Sequence, residues 1–118
     1  MRKRQEPEKN YLDFIPERSE HIQWRRLDDG KVQLTVQRTG FFNRVSQKVF
    51  GAPEFSYIDL DELGSFVWQQ IDGARSVHEI GQKVDSEFGN SAAPVYERLV
   101  EFMKMIQNNN FIHIKNNY

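Results

Sequence analysis

The 118-residue chain contains no cysteine. Disulfides, thiol nucleophiles, cysteine zinc sites and iron–sulfur ligation are therefore excluded. Long apolar runs are also missing. The longest is three residues, Phe66-Val67-Trp68, far short of a bilayer span. No apolar segment follows the charged Met1-Arg2-Lys3-Arg4, so no secretory signal is read and the expected address is cytoplasmic. Histidine is sparse: His21, His78 and His113 lie far apart, and none has a second ligand at metal spacing. The glycines form no phosphate cradle, and no nucleophile–base pair stands out. The expectation is no metal, no cofactor and no catalysis. The cluster Asp59, Asp61 and Glu62 reads as anions at a helix start, where the helix dipole favours them.

What is present is one modest core. Apolar residues make up 38% of the chain, and fifteen aromatics concentrate burial in few side chains. Charge is near balance, 16 basic against 17 acidic, but it is uneven. Residues 1–50 hold 11 basic and 7 acidic groups, whereas residues 51–118 hold 5 and 10. An acidic C-terminal half argues against nucleic acid, whose phosphates need a positive surface.

Residues 1–20 are polar, carry Pro7 and Pro16, and read as a mostly flexible arm. An apolar island at 11–16 (Tyr11, Leu12, Phe14, Ile15) interrupts it and is expected to dock on the domain or on a partner. The domain proper is assigned to residues 21–118. Strict alternation over 21–38 around Asp28-Asp29-Gly30-Lys31 predicts a hairpin. Phe41, Phe42, Val45 and Val49 fall at helical spacing and predict a short helix over 41–50. Phe55 to Leu60 reads as a third strand, with Phe55 and Tyr57 on one face and Ser56 and Ile58 on the other. Asp61 then caps a helix to Ile71. Ser76-Val77-His78-Glu79 is a capping box opening a second helix that Gly89 closes. A third helix is predicted over 92–108 with Pro94 in its first turn and two apolar stripes. Phe111 to Ile114 reads as a short strand or extended tail. The fold class is α+β and winged-helix-like. It comprises a small antiparallel three-stranded sheet followed by a three-helix bundle, with an extra short helix between strands two and three.

The run from Leu60 to Phe111 carries Leu60-Asp61, Val67-Trp68, Asp72-Gly73 and Ser76-Val77-His78-Glu79-Ile80 in order. With these spacings it resembles the PqqD family. The resemblance implies a precursor-peptide recognition element: a non-catalytic module that binds the leader of a ribosomally made peptide and presents it to a radical SAM maturase. The leader would add as a strand to the third strand, Phe55, Ser56, Tyr57, Ile58 and Asp59. One stripe of the last long helix, Tyr96, Leu99, Val100 and Met103, would wall the pocket, with Lys104 facing an acidic peptide side chain. These side-chain choices follow from position. Two features depart from the family pattern: the intervening residues 39–54 and the N-terminal arm. Both bear on whether the binding surface is covered. The competing readings are a scaffold or homodimer joined through the same edge strand and a DNA-binding winged helix. Against the latter, Glu97, Arg98, Glu101 and Lys104 leave the last helix with no net charge.

Overall fold

The computed structural model describes residues 11–38 and 54–116. The helix expected over 41–50 lies outside the described residues. Five strands and three α-helices are described, in the order β1 (Pro16–Arg18), β2 (Gln23–Arg26), β3 (Val32–Arg38), β4 (Glu54–Asp59), α1 (Glu62–Gln70), α2 (Val77–Phe88), α3 (Val95–Asn108) and β5 (Ile112–Ile114). Strands β2, β3 and β4 form an antiparallel sheet in that order, and β1 pairs antiparallel with β5 in a second, two-stranded sheet. The architecture is thus mixed α and β, with antiparallel sheets and three helices.

The hairpin forms where alternation and turn chemistry agree. Val32 and Leu34 are fully buried while Gln37 is exposed. Gly30 closes the turn at φ 88°, a left-handed conformation that L side chains rarely adopt. The Leu27 and Gly30 amides donate to the Lys31 and Leu27 carbonyls.

Each of the first two helices is started by a local side-chain contact. The Asp61 carboxylate accepts the Gly64 N–H at 2.8 Å. Ser76 and Glu79 form a reciprocal capping box at 3.1 and 2.9 Å. The third helix starts later than its apolar pattern suggests. Ala93 is extended and Pro94 is the N-cap, with Gly89–Ala92 forming a 3-10 turn before it. The reason is steric: the residue before a proline is pushed out of the α region.

Trp68, Ile71, Val77, Ile80, Met103 and Ile106 are fully buried between the helices and the inner face of the sheet. Trp24 packs edge-on against Trp68, and the Arg18 guanidinium sits 5.0 Å from the Trp24 ring. Burial lowers the Arg18 pKa, partly offset by Asp72.

The second half of the expected arm belongs to the body of the protein. Pro16 and Tyr11 are buried, and β1 is held along its length by β5. The Phe14 and Leu12 carbonyls accept the first amides of α2, those of Val77 and His78. The island therefore satisfies orphan donors at a helix start as well as burying apolar surface. The Asp72-Gly73 turn is clamped in the same region. Gly73, at φ 77°, donates its N–H to Pro16 and accepts from Lys115 Nζ.

Candidate functional site

The ladder between β3 and β4 decides which groups β4 leaves free. The register pairs Leu34 with Ile58, Thr35 with Tyr57 and Gln33 with Asp59. The Leu60 N–H donates to the Val32 carbonyl, so Val32 and Leu60 are a hydrogen-bonded pair. Such pairs alternate in an antiparallel ladder. The amides of Ser56 and Ile58 therefore face β3. The N–H and C=O groups of Phe55, Tyr57 and Asp59 face away from it. Among the described residues no strand pairs with that outer edge.

The end of the ladder is fixed by one buried hydroxyl. Ser65, in α1, donates to the Leu60 carbonyl at 3.2 Å and accepts the Val32 N–H at 2.8 Å. It ties the exit of β4 to both α1 and β3. On the solvent face, Asp59 accepts from Gln33 at 2.9 Å, and Gln33 accepts from Arg25 at 3.2 Å. This row crosses all three strands.

A groove of about 340 Å³ is lined by α1, α3 and Val84 of α2, and reaches Asp61, two residues beyond β4 in the chain. Leu63, Val67, Val95, Leu99, Phe102 and Met105 give it apolar walls, and Asp61, Arg98 and Glu101 add charge. Gly64 allows the two helices to approach closely: a Cβ there would stand 3.2 Å from the Phe102 ring. Among the described residues the exposed large apolar side chains are Phe55, Tyr57 and Met105. Phe55 and Tyr57 lie on the solvent face of β4, and Met105 lines the groove.

The side chains expected at the site divide. Phe55, Tyr57 and Asp59 stand exposed on β4, with Ser56 and Ile58 half-buried on the inner face. Leu99 lines the groove. Tyr96 turns instead to α2, where it lies over Gly81, stacks on His78 and donates to the His78 carbonyl at 3.3 Å. Burial, and then the Asp85 carboxylate, raise its phenol pKa above the ordinary 10. Met103 is fully buried in the core. Lys104 sits 5.7 Å from the Tyr11 ring and, with Val100, borders a separate depression beside Pro94 and Glu97. Of the two stripes on α3, the one facing the groove is Leu99, Phe102 and Met105. Adjacent stripes share one helical period, so only packing shows which one lines the groove. The docked island lines no part of the groove.

Candidates for other chemistry stay apart. His113 pairs with Glu17 at 2.9 Å, and both are exposed. Among the described residues no group of three His, Asp or Glu could hold a metal ion. None of the described helices is long and apolar enough to cross a membrane.

The family model for coenzyme PQQ synthesis protein D (PqqD) matches residues 52–112, a span that runs from just before β4 into β5. The chain belongs to the PqqD family. It is 32% identical over 68 residues to the PqqA binding proteins of three strains of Xanthomonas oryzae pv. oryzae, covering 58% of this chain and 73% of each relative. The solved structure of TbiB1 in complex with the TbiA(beta) leader peptide has the same fold. It superposes with a TM-score of 0.60 at 20% identity, covering 86% of this chain and 98% of that one.

Proposed function

We propose that this PqqD-family chain is a non-catalytic peptide-binding module. It takes the leader of a ribosomally made precursor peptide as an added strand on β4 and presents it to a modifying enzyme of the radical SAM class. The observation that carries this reading is the open edge of Phe55, Tyr57 and Asp59, with an apolar groove that starts at Asp61, two residues beyond the strand. Unpaired backbone groups supply affinity without regard to sequence, and the groove supplies selectivity. A relative that binds PqqA and a fold-mate held with a leader peptide support the same role. The contact set comprises Phe55 to Asp59 with Leu99, Phe102 and Met105. The arrangement of sheet and helices is winged-helix-like, and the module works in the cytoplasm.

The test is calorimetric titration of the full chain with synthetic leader peptides encoded beside it, each against a scrambled version. Saturable binding of the native order alone is expected. Failure of every native-order peptide to bind the folded protein would overturn the reading and favour a scaffold or dimer. A second copy of the chain could pair with the same edge, and sedimentation of the free protein separates that case.

A further inference from the structure

Resting on that edge reading, we infer that the preferred peptide carries a basic residue followed, at the second and fourth positions after it, by aromatic or β-branched residues. The pattern follows from the ladder. A strand docked on β4 pairs its alternate residues directly with Asp59, Tyr57 and Phe55, because these residues own the outward backbone groups. Residues paired across a ladder project their side chains to the same face of the sheet. That face is the solvent face, where Tyr57 is 64% and Phe55 49% exposed. The peptide residues between them project to the helix side of the sheet.

Each outer position then meets a defined neighbour. Opposite Tyr57 and Phe55 an aromatic or β-branched side chain covers apolar surface that is otherwise in water. Opposite Asp59 stands a row that already alternates: Arg25 donates to Gln33, and Gln33 to Asp59 Oδ1. Lysine or arginine at the fourth place continues that row with opposite charge. All the described pairings of this sheet are antiparallel, and antiparallel pairs are slightly more stable per residue than parallel ones. The peptide therefore runs from Asp59 toward Phe55, which places its basic residue first.

The probe is a displayed library of random twelve-residue peptides selected on the immobilised full chain. Enrichment of a basic residue with aromatic or β-branched residues at the second and fourth positions after it is expected. Two substitutions read the contacts. Asp59→Lys should weaken a selected peptide about fivefold, and exchanging that peptide's basic residue for Glu should restore the loss. Tyr57→Thr, which keeps strand propensity, should remove the preference at the position opposite it. The reverse order of the pattern, or selected peptides indifferent to both substitutions, overturns the inference. Sensitivity to Tyr57→Pro tells this failure from that of the edge reading. Peptides that lose binding to Tyr57→Pro without showing the pattern leave the edge reading standing. Peptides indifferent to Tyr57→Pro bind elsewhere and end both.

Discussion

Replacing Ser65 by alanine removes the one hydroxyl that closes the β3–β4 ladder. Ser65 is 3% exposed and Val32 fully buried, so no water takes the place of the lost oxygen. The Val32 N–H is then left unpaired, which costs about 1–3 kcal/mol. The Leu60 carbonyl loses its Ser65 donor as well. Alanine offsets part of this through its better helix propensity, by roughly 0.5 kcal/mol. A net loss of about 1.5 kcal/mol, within a range of about 0.5–2.5, is expected. With a urea slope of ~1.5 kcal/mol/M, the unfolding midpoint should fall by about 1 M at unchanged slope. Tryptophan fluorescence suits the assay, since Trp68 is fully buried and Trp24 packs on it. Ser91→Ala is the control: its hydroxyl is exposed on the 3-10 turn, and a change within about 0.5 kcal/mol is expected. A Ser65→Ala midpoint within about 0.3 M of the parent would refute the argument that a buried, unreplaced donor anchors the exit of β4.

Gly81→Ala should destabilise by about 1–2 kcal/mol, because a Cβ there overlaps the Tyr96 ring; calorimetric melting checks it, and relief by Tyr96→Ala would confirm the cause. Burial pushes the Tyr11 phenol up to about 12, while its hydroxyl donates to Gln107 Oε1 at 2.8 Å. A raised folded pKa means stability that is whole below the ordinary 10 and is lost as pH climbs toward 12. Urea midpoints at pH 8 and pH 11 should fall further for the parent than for Tyr11→Phe, and equal falls would count against it. Asp72 accepts the Ala74 and Arg75 amides, which lower its pKa below the ordinary 3.8. Its contribution is present above that value and fades as pH drops through the lowered one. Melting temperatures between pH 5 and pH 2 should therefore decline more for the parent than for Asp72→Asn.

The features legible in the sequence are those fixed by neighbours in the chain. The Ser76–Glu79 capping box, the Asp61 cap, the Gly30 turn and the alternation along β3 each depend on residues a few positions apart. The pairing of Pro16–Arg18 with Ile112–Ile114 joins residues almost a chain length apart, and three-residue strands carry no periodicity to read. Residues 16–18, read with the arm, therefore pair with the C-terminal strand instead. On α3 the azimuth was not legible: Tyr96 packs on Gly81 and Met103 in the core, while Phe102 and Met105 line the groove. The direction of each amide on β4 needs the register, which only the structure supplies. A proline at Ile58 would break the ladder to β3, whereas at Tyr57 it removes an outward donor and spares that ladder.

Amide hydrogen exchange resolved residue by residue tests the edge most directly. In the free chain the amides of Ser56 and Ile58 should be protected and those of Phe55, Tyr57 and Asp59 should exchange quickly. Saturation with a native-order leader peptide should slow the second set and leave the first almost unchanged. Binding that leaves Phe55, Tyr57 and Asp59 as fast as before would contradict strand addition on β4.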